Sequence, residues 1–221
     1  MPQVPAVRDL RMTPVAAPSV VVEALSRPAR TFTGDFFVTH RAADRLWFAL
    51  GDVAGKGLPA AIVMAMIQEE LEHRIARCAE TACDPAVTTR RVDEFLRPLL
   101  PSNRFATAVL GHLRDDGRLT ITNAGHCPPL LVRNGGCVEA IPSTGPLLGI
   151  LPNAEWRSVV THLDPGETLV LYSDGLIEAQ VGGDDLGIDG LRAHLATGDP
   201  RAILPQLDEV EDDLTLVVIR R

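Results

Sequence analysis

Four aspartates occupy positions from which their carboxylates can take part in chemistry. Each lies at the start or end of a segment predicted to be a core strand; they are Asp35, Asp52, Asp174 and Asp212. Carboxylates that converge on one edge of a sandwich repel one another and hold their pKa values high unless a cation neutralises them. Divalent metal ions with oxygen ligands are suited to such a cluster, and two ions neutralise it better than one. The alternative is that each aspartate only caps a turn.

The segment 51–61, which contains Asp52, joins two kinds of predicted structure. The apolar run 45–50 before it predicts a buried strand, and residues 60–79 after it contain no glycine or proline and predict a helix. Three glycines surround the turn, and glycine lets the backbone approach a ligand closely. A carboxylate at a strand end, followed by a glycine turn into a helix N-terminus, is a plausible place to hold a cation or a phosphate.

The remaining pattern alternates short strands with two blocks of helix. A first strand is predicted over 19–25 and a second over 34–40, and a second helix follows Asp84 and runs to about residue 100. Further strands are predicted over 105–113, 119–123, 130–133, 138–141, 156–162, 168–172 and 214–219, with short helices over 186–196 and 200–207. Consecutive strands joined by tight turns indicate antiparallel sheets, so the predicted fold class is α+β with stacked antiparallel sheets. Residues 1–18 are predicted to be a flexible leader and residues 19–221 a single domain.

Composition excludes several classes of protein. The net charge of −8 disfavours binding to nucleic acid, which needs a basic surface. No apolar run approaches the roughly 18 residues of a membrane span, and the N-terminus does not have the pattern of a signal peptide, so we expect a soluble, cytoplasmic protein. The four cysteines form no CxxC pair, and we expect reduced thiols rather than a disulfide or metal framework. They are Cys78, Cys83, Cys127 and Cys137.

Five motifs occur together in an order that resembles one family. They are residues 34–37, 51–61, 123–130, 171–179 and 212–215. In this order and rough spacing the chain resembles the PPM class of metal-dependent serine/threonine protein phosphatases, in its bacterial SpoIIE-like branch. The resemblance extends over about residues 20–220, so the domain at 19–221 would be a PPM-type phosphatase domain. It implies an α-β-β-α sandwich, with two stacked antiparallel sheets flanked by helices.

The resemblance also implies a metal site with two Mg²⁺ or Mn²⁺ ions. Asp52 would bridge the two ions and the backbone carbonyl of Val53 would ligate one of them. Asp174 and Asp212 would complete the shell of the other ion, and Asp35 would help to hold the second ion directly or through water. In such a site the attacking group is a water that bridges the two metals, and its pKa is lowered toward neutrality.

The implied substrate is a phosphorylated serine or threonine of a protein. By analogy with the family, that protein would be a phosphorylated STAS-type anti-sigma-factor antagonist in a partner-switching pathway. Two further positions match places where related proteins bind phosphate or substrate. Arg30 would grip phosphate, with a solvated arginine as the alternative, and His126 would donate a proton or a hydrogen bond, with a structural turn histidine as the alternative.

The chain departs from the family pattern at two positions. Thr33 replaces one of two glycines before the first aspartate, and Val38 stands where the family has a second aspartate. These departures leave open a non-catalytic, phosphatase-like module that binds a signalling partner. A metal-dependent nuclease would also suit clustered carboxylates, but the acidic charge balance and the absence of a basic, aromatic-interleaved patch disfavour it.

Overall fold

Two five-stranded sheets, all of whose strand pairs are antiparallel, form the centre of the fold. The computed structural model describes residues 20–221 except 30, 43, 56, 79–82, 101–103 and 209. The predicted leader therefore lies outside the described residues, and so does Arg30. In the described part of the chain, no helix is both long enough and apolar enough to span a membrane.

From one edge to the other, the first sheet consists of β2 (Phe36–Ala42), β3 (Arg45–Val53), β4 (Ala106–Arg114), β5 (Arg118–Ala124) and β8 (Val159–His162). The second sheet, in the same sense, consists of β1 (Val21–Arg27), β12 (Leu214–Arg220), β9 (Thr168–Tyr172), β6 (Leu130–Val132) and β7 (Val138–Ala140). A small hairpin that the sequence pattern did not predict consists of β10 (Gln180–Val181) and β11 (Asp184–Asp185). The helices are α1 (Leu58–Cys78), α2 (Pro85–Leu96), α3 (Asp174–Ile177) and α4 (Gly187–Leu195), followed by a 3₁₀ helix at Pro200–Gln206.

Strand β3 shows why the fold has four layers. Its residues 46–51 are all buried, because the strand is covered on both faces. Phe48 and Leu50 pack with apolar residues of the second sheet. Trp47 and Ala49 point the other way, into the cluster that contains the buried residues of α1 and α2. The helices therefore lie outside the stacked sheets, and the predicted α-β-β-α sandwich is confirmed.

Helix α1 begins and ends within about two residues of its predicted limits. Ile67, Leu71 and Ile75 are buried against the first sheet. Ile62 is 52% exposed, because the buried stripe reaches the start of the helix through Ala60 rather than through residue 62.

The expectation of four reduced cysteines is wrong. Cys78 and Cys83 form a disulfide, with their Cα atoms 5.1 Å apart. Cys78 ends α1, and Cys83 directly precedes Asp84, whose side chain caps α2 by accepting from the amide of Ala86 at 2.8 Å. Spacing alone does not identify this pair, because the approach of the two cysteines depends on how the two helices pack. Cys127 and Cys137 are free thiols.

Candidate active site

The two sheets meet at one edge around a small acidic cavity of about 90 Å³. All four aspartates singled out from the sequence line it: Asp35, Asp52, Asp174 and Asp212. They come from both sheets, since one lies in β3 of the first sheet, one just before β2, and the other two next to β9 and β12. The rest of the lining is Phe32, Gly34, Gly55, Gly57 and Asp213.

Asp52 lies inside β3 rather than beyond its end. It pairs in register with Thr107 of β4, so its backbone is fixed by the sheet. The next residue, Val53, donates its amide proton to the carbonyl of Gly34 at 3.3 Å. The chain then leaves the strand, and Gly55 has a φ of 112°, which a residue with a side chain rarely adopts. The glycine turn therefore follows directly from the strand that carries Asp52.

Asp35 is the most deeply buried carboxylate of the cluster, with 6% of its surface exposed. Its Oδ2 accepts a hydrogen bond from the Thr215 hydroxyl at 2.6 Å. Its Oδ1 is buried and has no hydrogen-bond partner among the residues that the structure describes. Burial and the negative charge of Asp52 raise the pKa of Asp35 to about 8, while the hydrogen bond from Thr215 opposes this rise.

The pKa values of two other carboxylates in the cluster are raised as well. Burial, followed by the charge of Asp174, raises the pKa of Asp52 to about 6. Burial and the charge of Asp212 raise the pKa of Asp174, while the amide of Gly175, which donates to Asp174 Oδ1 at 2.9 Å, lowers it. The cluster therefore holds more negative charge than it accommodates easily without a cation.

The donor set suits a hard divalent cation. The cavity is small, its charged lining groups are all carboxylates, and one of their oxygens, Asp35 Oδ1, is buried without a hydrogen-bond partner in the described part of the chain. Within the described residues, however, no three acidic, histidine or cysteine side chains are already gathered into a metal-ligand set. The structure thus brings the predicted ligands to one cavity without closing them around a single point.

Asp213 is the acidic residue that the sequence-based choice of ligands missed. Its Oδ1 accepts from the amide of Ala29 at 2.8 Å, and its Oδ2 accepts from the amide of Gly34 at 2.9 Å. It thereby ties the end of the second sheet to the segment that leads into β2. The sequence does carry a signal for it: Asp212 and Asp213 are adjacent, so both could be considered as cavity residues.

The loop that carries Asp174 is fastened to the same segment. The Ser173 hydroxyl donates to the carbonyl of Asp213 at 3.1 Å and accepts from the amide of Thr215 at 2.8 Å. Gly175 packs so closely on the carbonyl of Asp213 that a side chain would not fit there. Asp174 and Asp212 are therefore held on two loops that cannot move independently.

His126 lies beside a second cavity of about 300 Å³, which shares Asp52 and Asp174 with the first. Its Nδ1 is 2.8 Å from the hydroxyl oxygen of Thr107. Burial lowers its pKa to about 4, so the imidazole is neutral near pH 7. Cys127 also lines this cavity, and burial raises the pKa of its thiol to about 12.

The two departures from the family pattern have distinct surroundings. The Thr33 hydroxyl accepts a hydrogen bond from the amide of Asp35 at 3.0 Å. Val38 is 3% exposed and belongs to the apolar cluster beneath α1 and α2. Residue 38 therefore contributes an apolar side chain to the core and no carboxylate to the cavity.

The family model for Stage II sporulation protein E (SpoIIE) matches residues 42–221. The chain belongs to the SpoIIE family of PPM-type phosphatases. It is 25% identical to phosphoserine phosphatase RsbU of Bacillus subtilis over 214 residues, which cover 90% of this chain and 63% of that protein. The chain spans less than two thirds of the length of the curated relatives it matches.

Solved structures share the fold. The RsbU and RsbW domains of Rv1364c from Mycobacterium tuberculosis align with a TM-score of 0.77 and 26% identity, over 98% of this chain and 62% of that one. RsbX in complex with magnesium aligns with a TM-score of 0.74 and 18% identity, over 94% of this chain and 98% of that one. The SpoIIE-family fold thus agrees with the two-sheet architecture described above.

Proposed function

We propose that this domain is a metal-dependent phosphatase that removes phosphate from phosphoserine or phosphothreonine in a protein. The observation that carries the proposal is the convergence of Asp35, Asp52, Asp174 and Asp212 from both sheets on one small cavity. The SpoIIE family model over residues 42–221 and the likeness to a phosphoserine phosphatase support the reaction class. We infer that the domain comprises residues 19–221.

We assign the ion-holding roles to the residues at the cavity. Asp52 and the backbone carbonyl of Val53 would hold metal from the first sheet, and Asp174 and Asp212 would hold it from the second. Asp35 would contribute its unpartnered Oδ1 directly or through water. Two Mg²⁺ or Mn²⁺ ions, when bound, would supply a water of lowered pKa and would neutralise the phosphoryl oxygens. RsbX, a structural relative, was crystallised with magnesium.

The protein's own residues shape the reaction in other ways. The raised pKa of Cys127 keeps its thiol protonated at neutral pH, so it does not act as a nucleophile next to Asp52 and Asp174. The lowered pKa of His126 means that its imidazole is not a ready cationic acid. Both observations favour attack by water over formation of a covalent intermediate on the chain.

The test is phosphate release from a phosphoserine peptide, measured with Mn²⁺ and with chelator. We expect release that requires Mn²⁺ and that Asp52→Asn and Asp174→Asn each reduce by at least about a hundredfold, because each removes a charged ligand. The matched control is Asp208→Asn, since Asp208 does not line the cavity and, among the described residues, its side chain accepts one hydrogen bond, from the exposed amide of Gly183. Equal rates with and without chelator would overturn the proposal.

We further propose that the substrate is a phosphorylated STAS-type anti-sigma-factor antagonist. The likeness to RsbU and to the RsbU and RsbW domains of a mycobacterial protein supports this assignment. The expected result is a kcat/KM for the intact phosphorylated STAS protein at least about tenfold above that for a phosphoserine peptide cut from it, because a folded substrate offers docking contacts that a peptide lacks. Equal values would contradict the substrate assignment without affecting the reaction class.

A non-catalytic module that binds a signalling partner is the second candidate. Val38 favours it, because this residue is buried in the core where the family has an acid. Calorimetric titration with Mn²⁺ distinguishes the two functions. A binding module need not take up Mn²⁺, whereas a phosphatase must, and must lose that uptake in Asp52→Asn.

A further inference from the structure

One imidazole lies close to the strand that carries Asp52 and to the loop that carries Asp174. His126 is 7% exposed and follows β5 in the first sheet. Its Nδ1 lies 2.8 Å from the hydroxyl oxygen of Thr107, and Thr107 is the register partner of Asp52. On this side the ring contacts the pair of strands that fixes Asp52.

The other side of the ring faces the second sheet. The ring lines one cavity together with Asp52 and Asp174, and the backbone of Tyr172 raises the pKa of the imidazole against the larger lowering by burial. Tyr172 is the last residue of β9 and precedes Asp174 by two positions. The Nε2 atom is buried and makes no hydrogen bond within normal geometry to the described part of the chain. The ring therefore fills the space between the Asp52 strand pair and the strand that leads to Asp174.

The backbone of His126 is held as firmly as its ring. The buried side chain of Asn123 accepts from the amide of His126 at 2.8 Å and donates to its carbonyl at 3.1 Å. Between them, Gly125 has a φ of 70°, which allows the tight turn. A ring fixed in this way is a rigid spacer, since neither its backbone nor its χ angles can adjust freely.

The Thr107 hydroxyl links the ring to Asp52. Its oxygen lies 2.8 Å from His126 Nδ1, and it donates to the backbone carbonyl of Asp52 at 3.5 Å. The ring therefore contacts the backbone of Asp52 through a single hydroxyl group.

We propose that His126 is a positioning residue that sets the separation of Asp52 and Asp174, and thereby the affinity of the cavity for its metal ions. The inference rests on the proposed function. Residues that orient metal ligands from behind typically change metal affinity by about 10- to 100-fold when they are replaced. A histidine that only filled the core would change the stability of the fold and leave the affinity of the folded protein unchanged.

The test is the Kd for Mn²⁺ of His126→Asn, measured by calorimetry on the intact chain. Asparagine can place an amide group near the Nδ1 position but cannot reach the second sheet, so we expect a Kd raised by about 10- to 100-fold. Thr107→Val should raise the Kd as well, and the double variant should be no worse than the poorer single variant, because both act through one contact. His126→Gln serves as a second variant if His126→Asn does not fold.

The matched control is His112→Asn. His112 is also a buried histidine, it lies on the same strand as Thr107, and it lines neither cavity. It should lose stability in urea and keep the wild-type Kd for Mn²⁺. If the His126 variants fold and keep the wild-type Kd for Mn²⁺, the positioning role is overturned and the proposed function stands. The same holds if a variant loses kcat but keeps that Kd. A wild-type chain that takes up no Mn²⁺ would overturn the metal-dependent function and this inference together.

Discussion

Gly34 lies directly against Asp52: a Cβ on residue 34 would come within 2.5 Å of Asp52 Oδ1 and 3.0 Å of the carbonyl oxygen of Val53. These are the two groups proposed to hold metal from the first sheet. The amide of Gly34 is at the same time held by Asp213, so the backbone there cannot easily move away. The missing side chain at residue 34 thus makes room for the proposed ligands.

Gly34→Ala should therefore weaken metal binding. The added methyl group must displace the Asp52 carboxylate or the carbonyl of Val53, and we expect the Kd for Mn²⁺ to rise by at least about tenfold. Calorimetric titration measures this directly. Gly198→Ala is the control, because the nearest described atom to a Cβ there is the carbonyl oxygen of His194, at 3.8 Å. Equal Kd values in the two variants would show that the cavity tolerates the methyl group.

Asp213→Ala should destabilise the chain even without metal. The change leaves the amides of Ala29 and Gly34 without their acceptor, and an unsatisfied, part-buried amide costs about 1–3 kcal/mol. Urea unfolding in the presence of chelator gives the free energy of unfolding. Asp208→Ala, which removes one exposed hydrogen bond to Gly183, should change it by less than about 0.5 kcal/mol. If Asp213→Ala changes the free energy of unfolding as little as Asp208→Ala does, the two hydrogen bonds accepted by Asp213 do not stabilise the fold.

His112 should make the fold sensitive to acid. Burial and, to a smaller extent, the charge of Arg45 lower its pKa from 6.5 to about 4, while the charge of Asp84 opposes this. Above pH 6.5 the imidazole is neutral in both the folded and the unfolded chain, and its contribution to stability is complete. As the pH falls from 6.5 to 4 the unfolded chain takes up a proton that the folded chain does not, so stability is lost.

His112→Phe tests this acid sensitivity. Phenylalanine keeps an aromatic partner for Trp47, whose ring lies 4.8 Å from the imidazole in an edge-on arrangement, but it cannot take up a proton. Urea midpoints measured at pH 7, 5.5 and 4.5 without divalent cations should fall less steeply for the variant than for the wild type. Parallel pH profiles would mean that His112 is protonated equally in both states.

Reduction of the disulfide between Cys78 and Cys83 should lower stability by about 2 kcal/mol, because the bond closes a short loop in the unfolded chain. The measurement is urea unfolding with and without dithiothreitol. Cys83→Ser should match the reduced wild type and should not respond to the reductant. Cys137→Ser, at an exposed free thiol, should still respond like the wild type. A wild type that unfolds at the same midpoint in both conditions would contradict the prediction.

The local pattern of the sequence was enough to place most strands and helices. Strand β3 is an example, because its apolar run, its aromatic content and the glycine turn that follows it are all properties of adjacent residues. The cap of α2 is another, because Asp84 followed by proline specifies a helix start through contacts within one turn. The ends of the elements were placed less accurately. Asp52, for example, was predicted to follow its strand and lies within it.

Which residue types stand at the ends of the core strands, and the order of motifs that assigns the family, can be read from the sequence. Which of these groups meet follows from the packing of the folded chain. Asp213 holds the amide of Gly34 across a separation of 179 residues, and Cys78 reaches Cys83 only because α1 and α2 pack side by side. His126 acquires its place between Thr107 and Tyr172 in the same way. Strand and helix signals are carried by neighbours along the chain, whereas these contacts depend on how the sheets stack and how the helices pack on them.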